Sequence, residues 1–253
     1  MTMNKIVAFI PARSGSKRLP DKNIKSLDGH PLLAYSISSA IDSGLFDSVI
    51  CATDDEKYAE IARHYGAEVP ILRPAGISGD KSPDIEWVDW MLTELEKRGR
   101  FFNVFSILRP TSPFRKAQTI RRAWDQFLKL DHVDSLRAVE KCKQHPGKMW
   151  VLREKMMLPL MPLQNEQQPW HSSQYAALPE FYIQNASLEI AWTRIVTNSK
   201  SIAGDIVAPF FTNKEEGLDV NDEFDWWRAE YLLQQGLAKL PAIKTKAYRA
   251  SRD

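Results

Sequence analysis

"IPARSGSKRLPDKN", residues 10–23, follows the apolar run Ile6-Val7-Ala8-Phe9 and sets Arg13, Lys17, Arg18 and Lys22 around one glycine, Gly15. A strand that runs into a basic, glycine-containing loop is how a doubly wound α/β sheet begins a ligand site. Reading outward, Lys5 to Ile10, Ser48 to Ala52, Ala67 to Leu72 and Asn103 to Leu108 are β-branched or aromatic runs of strand length. Segments of helical period lie between them. Leu33, Ile37, Ala40 and Ile41 recur at helical spacing and stop at Gly44; a second helix runs from about Asp55 to Tyr65 and stops at Gly66. A third is expected to take Ser82 as N-cap and Pro83 at its first position, with Ile85, Val88, Trp90 to Leu92 and Leu95 following. Strands alternating with helix-sized connections imply an α/β fold, a mostly parallel sheet with helices on both faces.

The loop has neither the glycine spacing of a dinucleotide fingerprint nor the Gly-Lys-Ser/Thr ending of a P-loop. What remains is Arg13-Ser14-Gly15-Ser16-Lys17-Arg18, with Asp21 the one acidic residue nearby. Small residues let backbone N–H groups approach anionic oxygens, and the cations neutralise a polyphosphate and its leaving group. This pattern suits a triphosphate better than a single phosphate.

The 253 residues, 43% of them hydrophobic, suffice for one sizeable domain or for one domain plus a smaller appendage. A net charge of +2 gives no global field for nucleic acid or an anionic membrane, so any anion site is local. Cys51 and Cys142 match no metal or redox spacing and read as core thiols in a reducing compartment. With no signal peptide and no run of about 20 apolar residues, the chain reads as soluble and cytoplasmic. The register changes near Lys141. Pro146, Pro159, Pro162, Pro169 and Pro179 preclude long helices up to Asn185, which leaves an irregular surface excursion or an arm that packs on a partner subunit or covers the site; Met149, Trp150, Met156, Met157, Leu158, Leu160 and Met161 favour burial, and so a partner subunit. Ala186 to Trp192 and Ile202 to Ala208 read as returning strands, and Asp222 to Gln235 as a last helix carrying Trp226, Trp227, Tyr231 and Leu232. A basic tail with Lys244, Lys246, Arg249 and Arg252 reads as a solvated end.

"PARSGSKRLPDKN" resembles the nucleotide-binding signature of acylneuraminate cytidylyltransferases and the related CMP-Kdo synthetases, approximately Ala-Arg-x-x-Ser-Lys-x-Leu-Pro-x-Lys-Asn. Arg13, Ser16, Lys17, Leu19, Pro20, Lys22 and Asn23 match it one by one. The likeness continues through "LLAYSISSAIDSGLFDSVICATDD", "LRPAGISGD" (72–80), "LRPTSPFR" (108–115) and "GLDVNDEFDW" (217–226), so it covers nearly the whole chain in order. It implies a single nucleotidyltransferase domain over 1–253, a Rossmann-like sheet with an inserted dimerisation arm at 141–185, and a homodimer. It also implies an activity: a sugar hydroxyl attacks the α-phosphate of CTP and pyrophosphate leaves. Such in-line chemistry needs positioning and charge neutralisation and no covalent protein nucleophile.

By the same resemblance Arg13, Lys17, Lys22 and Asp219 carry the chemistry, and Ala12, Arg13, Ser14, Gly15, Ser16, Lys17, Asn23, Arg73 and Ser82 bind the nucleotide. Ser82 is equally well read as a helix cap. The family's Asp-x-Asp magnesium pair appears here as Asp219-Val220-Asn221 with Asp222 next, so an amide replaces the second carboxylate and Asp222 is the candidate to compensate. Asp219 and Asp222 also read as turn and helix-cap residues. Arg109, Thr111, Ser112 and Asn185 are the acceptor candidates. Arg109 stands where sialic acid synthetases have Gln, and Ile183 where the nonulosonate enzymes have an arginine for the acceptor carboxylate. Arg109 can take over that carboxylate, or a phosphate, through a bidentate grip, or serve as a structural ion-pair residue. His145 and His171 in the arm read as surface or packing residues. Two other readings stay open: a sugar phosphate acceptor, possibly with another nucleotide, and a nucleotide-binding protein without turnover.

Overall fold

The computed structural model describes residues 4–163 and 168–249. Its strands and helices are β1 (Ile6–Pro11), β2 (Ser26–Leu27), β3 (His30–Pro31), α1 (Leu32–Ser43), β4 (Ser48–Ala52), α2 (Glu56–His64), α3 (Asp84–Glu96), β5 (Val104–Ile107), α4 (Ala117–Lys129), β6 (Ser135–Lys141), β7 (Trp150–Arg153), β8 (Met156–Pro159), β9 (Tyr182–Trp192), α5 (Arg194–Ser199), β10 (Val207–Phe211) and α6 (Glu223–Gln234). The chain divides into two compact units, one formed by the residues up to Ala138 and from Asn185 onward, the other by Val139–Gln184.

In the larger unit a six-stranded sheet runs in the order β10-β6-β9-β5-β1-β4. β1 pairs in parallel with both β4 and β5, while β5 and β9 are antiparallel. Alternation along the strands divides the core in two. Ile6, Ala8 and Ile10 face a cluster with Leu33 and Ile37 of α1, Ile61 of α2 and Ile120 and Phe127 of α4. Val7 and Phe9, with Phe105 and Ile107, face Trp87, Val88 and Met91 of α3 and Ile195 and Val196 of α5. Helices on both faces are what a sheet apolar on both sides requires. A third cluster joins Leu19, Leu32, Tyr35 and Phe114 to Leu218, Val220, Trp226 and Leu232, and so seats α6 beside the loop after β1.

Several expected elements take another form. Ala67 to Leu72 is no strand: Glu68 alone bridges Ile50, after which Arg73 N–H turns in to donate to Thr53 O at 2.8 Å. The strand expected from Ile202 begins at Val207, because Asp134 Oδ2 accepts from the N–H groups of Asp205 and Ile206 and shapes a loop there. Ser82 is not the cap of α3; Pro83 holds that position and no side chain caps it, Trp87 Nε1 instead donating to Asp84 Oδ1. Cys51 is fully buried, whereas Cys142 is half-buried in the smaller unit, so only one of the two is a core thiol. The basic tail is not a free end as far as Arg249: Lys244 pairs with Asp42, the Tyr248 N–H donates to Tyr65 Oη, and Ile243 and Tyr248 pack on the core. Arg252 lies outside the described residues.

The smaller unit holds the β7–β8 hairpin, turned at Glu154 (φ 52°), and short 3-10 turns at Pro146–Lys148, Trp170–Ser172 and Tyr175–Ala177. His145 is a packing residue. It is 7% exposed, its Nδ1 accepts from Gly147 N–H, and its ring meets those of Trp170 and Phe181 edge-on. His171 packs on Trp150 with ring centroids 4.8 Å apart. Leu152, Met156 and Met157 of the hairpin are exposed. Among the described residues no helix is long and apolar enough to cross a membrane.

Burial pushes the Cys51 thiol up to about 12, which leaves no reactive thiolate at neutral pH. A thiol reagent is therefore expected to titrate one cysteine in the native protein, Cys142, and two after denaturation; rapid native labelling of Cys51 is the contrary result. Phe105→Ala, which empties a fully buried site on β5, is expected to cost about 3–5 kcal/mol in denaturant unfolding.

Candidate functional site

The chain leaves β1 toward β4 on one side and reaches β5 on the other, so the strand order reverses at β1 and opens a crevice beyond the carboxyl ends of β1 and β5. A cavity of 270 Å³ lies there. Pro11, Arg13, Ser16, Lys22 and Asn23 reach it from β1 and its loop, Arg109, Pro110 and Thr111 from the end of β5, and Arg73, Gly79, Asp80, Ser82, Asp84 and Trp87 from the segment that leads into α3.

The loop is held from several sides. Ser14 donates through both its N–H (2.7 Å) and its Oγ (2.9 Å) to the Asp54 carboxylate, so its N–H is not free to meet a phosphate as the loop chemistry suggested. Asn23 Nδ2 donates to Arg13 O at 3.1 Å. Gly15 sits at φ +69°, and a Cβ built there meets nothing within 4 Å, so the backbone conformation rather than a close approach calls for glycine. Asp80 receives the cations: Arg13 Nη2 is 2.7 Å from Oδ1 and Lys17 Nζ 2.5 Å from Oδ2, and these bonds, Lys17's first, hold the Asp80 carboxyl below the usual range. Lys17 itself is largely exposed at the rim and does not line the cavity.

Lys22 Nζ donates to Val220 O at 2.7 Å and Val220 N–H donates to Thr111 O at 2.8 Å, which ties the C-terminal segment to both strand ends. Burial lowers the Lys22 ammonium, against the opposing pull of Asp219. Around it, Asn221 Nδ2 donates to Asp219 Oδ2 at 2.6 Å and Asn221 Oδ1 accepts from Arg18 at 3.3 Å. Asp219 Oδ1 is buried with no hydrogen-bond partner among the described residues. Asp222 is the N-cap of α6, its Oδ1 accepting from the N–H groups of Phe224 and Asp225, in line with the helix-cap reading.

Arg73 is 6% exposed; its Nη2 donates to Ile77 O, its guanidinium lies 5.2 Å from the Trp87 ring centroid, and burial lowers it. Arg109 is held by two carboxylates, its Nη2 donating to Asp84 Oδ2 and to Glu189 Oε1, each at 2.7 Å. Burial alone would lower its guanidinium, but Glu189 and Asp84 outweigh that and raise it. Behind it, Arg115 is fully buried and donates to Arg109 O, Ser187 O and Ser36 Oγ; burial, with repulsion from Arg109, brings it down to about 9.

Of the residues expected from sequence, Arg13, Ser16, Lys22, Asn23, Arg73, Ser82, Arg109 and Thr111 share the cavity. Ala12 is core behind it, and Ser112 is buried with its Oγ unpartnered. Asn185 does not line it: Nδ2 donates to Thr212 Oγ1 and Oδ1 accepts from Ser187 N–H. Ile183 is an exposed residue of the smaller unit. Sequence reading missed Asp54, Asp80, Asp84, Trp87 and Glu189. Asp80 closes the recognisable "LRPAGISGD", but a carboxylate in a cationic site has no local signal that marks it.

A sequence model described as Cytidylyltransferase matches residues 7–145. The chain is 31% identical over 236 residues to a CMP-N,N'-diacetyllegionaminic acid synthase of Legionella pneumophila, a match that covers 91% of this chain and 97% of that protein. It is 32% identical over 222 residues to an N-acylneuraminate cytidylyltransferase of Escherichia coli, covering 88% of this chain and half of that longer protein. Among solved structures, a CMP:2-keto-3-deoxy-manno-octonic acid synthetase complexed with CTP superposes with a TM-score of 0.67 over 92% of this chain and 99% of that one; at 14% identity this concerns the fold alone.

Gly15→Ala is expected to strain the loop by about 1–2 kcal/mol, since alanine meets a penalty in the left-handed region. Unfolding would record that loss, and nucleoside triphosphate affinity, measured by calorimetry, should fall with it; unchanged affinity would separate the loop conformation from binding.

Proposed function

We infer the function from one premise: the chain belongs to the cytidylyltransferase family. The reaction is transfer of CMP from CTP to a hydroxyl of an acidic, sialic-acid-like sugar. The hydroxyl oxygen attacks the α-phosphorus, the bond to the β-phosphate oxygen breaks, pyrophosphate leaves and the hydroxyl gives up its proton. The observation that carries this reading is that Arg13, Lys22 and Arg73 converge on a single cavity at the reversal of strand order.

The roles follow from placement. Among the described residues the ion pairs of Arg13 and Lys17 are with the exposed Asp80, and an exposed ion pair exchanges readily for a triphosphate. Lys22 reaches the cavity from below with a carbonyl as its partner, so its charge is available to the departing pyrophosphate. Arg73, laid over the buried Trp87 ring, holds a fixed place in the cavity wall from which it can meet the nucleotide. A magnesium ion would be held by Asp219 and would supply positive charge at the phosphates and at the attacking hydroxyl. The residues fit such an ion in one respect: the buried Asp219 Oδ1 lacks a partner, and magnesium in nucleotide sites commonly takes one or two carboxylates. Asn221 is placed to hold Asp219 and Asp222 to hold the helix. The exposed hairpin of Val139–Gln184, with Leu152 and Met156, serves as the contact of a homodimer. The working compartment is the cytoplasm.

With CTP, magnesium and a panel of N-acylneuraminate, N,N'-diacetyllegionaminate and pseudaminate, pyrophosphate release is expected on at least one sugar; release only with sugar phosphates or another nucleotide would contradict the assignment. Lys17→Ala should cut kcat/KM by about 10²-fold with an unchanged melting curve, since the side chain is exposed. Asp219→Ala should raise the magnesium concentration for half-maximal turnover, and an unaltered requirement would remove Asp219 from the metal site.

A further inference from the structure

Arg109 stands in the cavity wall, and its hydrogen bonds decide what it can still offer a substrate. Nη2 donates to Asp84 and to Glu189, which uses both of its hydrogens. Nη1 and Nε make no hydrogen bond among the described residues, and the side chain is 25% exposed. A guanidinium grips a carboxylate or phosphate through two adjacent N–H groups, either Nη1 with Nη2 or Nε with Nη2. Both edges include Nη2. The bidentate grip expected from sequence is therefore blocked, and Arg109 keeps single donors only.

Charge leads to the same place. Glu189 is 3% exposed and lies between two arginines, with Oε2 3.0 Å from Arg137 Nη2, close enough for an ion pair though not aligned as a hydrogen bond. Asp84 lines the cavity beside Arg109. Asp84, Arg109, Glu189 and Arg137 carry two charges of each sign, so the charge of Arg109 is already matched within its own ion pairs. An incoming carboxylate would also meet Asp84, a charge of its own sign.

We propose that Arg109 reads a neutral oxygen of the acceptor, a hydroxyl or an amide carbonyl, and that the acceptor's carboxylate is bound by other residues. The proposal deepens the reading of the cavity as the site of an acidic sugar and rests on it. Glu189 is then a positioning residue: buried and shared with Arg137, it fixes the guanidinium so that Nη1 and Nε remain for the sugar.

The test separates hydrogen bonding from charge. Two paired variants, Arg109→Gln with Glu189→Gln and Arg109→Met with Glu189→Gln, each remove one charge of each sign and keep the cluster neutral. Glutamine retains a neutral N–H donor; methionine retains bulk without one. Steady-state pyrophosphate release is measured with the acidic sugar that the wild-type protein turns over, giving KM for sugar and for CTP separately. The Met pair is expected to raise the sugar KM about tenfold with the CTP KM unchanged, and the Gln pair to stay within about threefold of wild type. Equal loss in both pairs would show that the charge was needed, and no change in either would show that Arg109 does not touch the acceptor; each result overturns the proposal. Where a pair does not fold, the single Arg109→Gln and Arg109→Met variants, which leave Glu189 paired with Arg137, carry the same comparison. Absence of turnover by the wild-type protein on every acidic sugar defeats the parent reading and this one together, whereas loss in the Gln variants of an active protein defeats this one alone.

Discussion

Positive charge collects at the carboxyl ends of β1 and β5, and like charges brought so close within partly buried surroundings need compensation before the chain can fold around them. The protein meets this constraint in graded ways. Arg13 and Lys17 share one exposed carboxylate, Asp80. Lys22 leans on a carbonyl, Arg109 is fixed between two carboxylates, and Arg115 is surrounded by carbonyls and a hydroxyl. The grading is also a functional order: the cations nearest the loop are the easiest to recruit for an anion, and those deepest along β5 are the most firmly spoken for.

The same constraint links the ends of the chain. Val220 donates its N–H to Thr111 and accepts from Lys22, while its side chain is fully buried among Leu19, Leu32 and Trp226. One residue of the C-terminal segment thus closes both backbone and side-chain contacts against the two strand ends that flank the cavity. α6, capped by Asp222, is the element that keeps it there.

Much of this was legible in the chain. β1, β4 and β5 are continuous apolar runs, and periodicity located α1, α2, α3 and α6 to within a few residues. The basic loop after β1 led to the cavity because position and composition agree. Tertiary context decided the rest. Ala67 to Leu72 has strand composition, yet only Glu68 finds a partner and the following residues turn to deliver Arg73 to the cavity. Ser82 has the residue type of a cap, but the helix begins after Pro83 and the serine faces the cavity wall. Arg109 was visible as a cation at a strand end. Its carboxylate partners were not, because Asp84 lies 25 residues away on α3 and Glu189 lies 80 residues away on β9. Partners that distant leave no mark on local pattern.

The account stands on the loop cations exchanging Asp80 for a triphosphate. A crystal structure of the protein with CTP and magnesium tests that directly. The account predicts phosphate oxygens within hydrogen-bond distance of Arg13 and Lys22, with Lys17 drawn away from Asp80 toward the phosphates. Nucleotide bound elsewhere, with the Arg13–Asp80–Lys17 contacts unchanged, would contradict it.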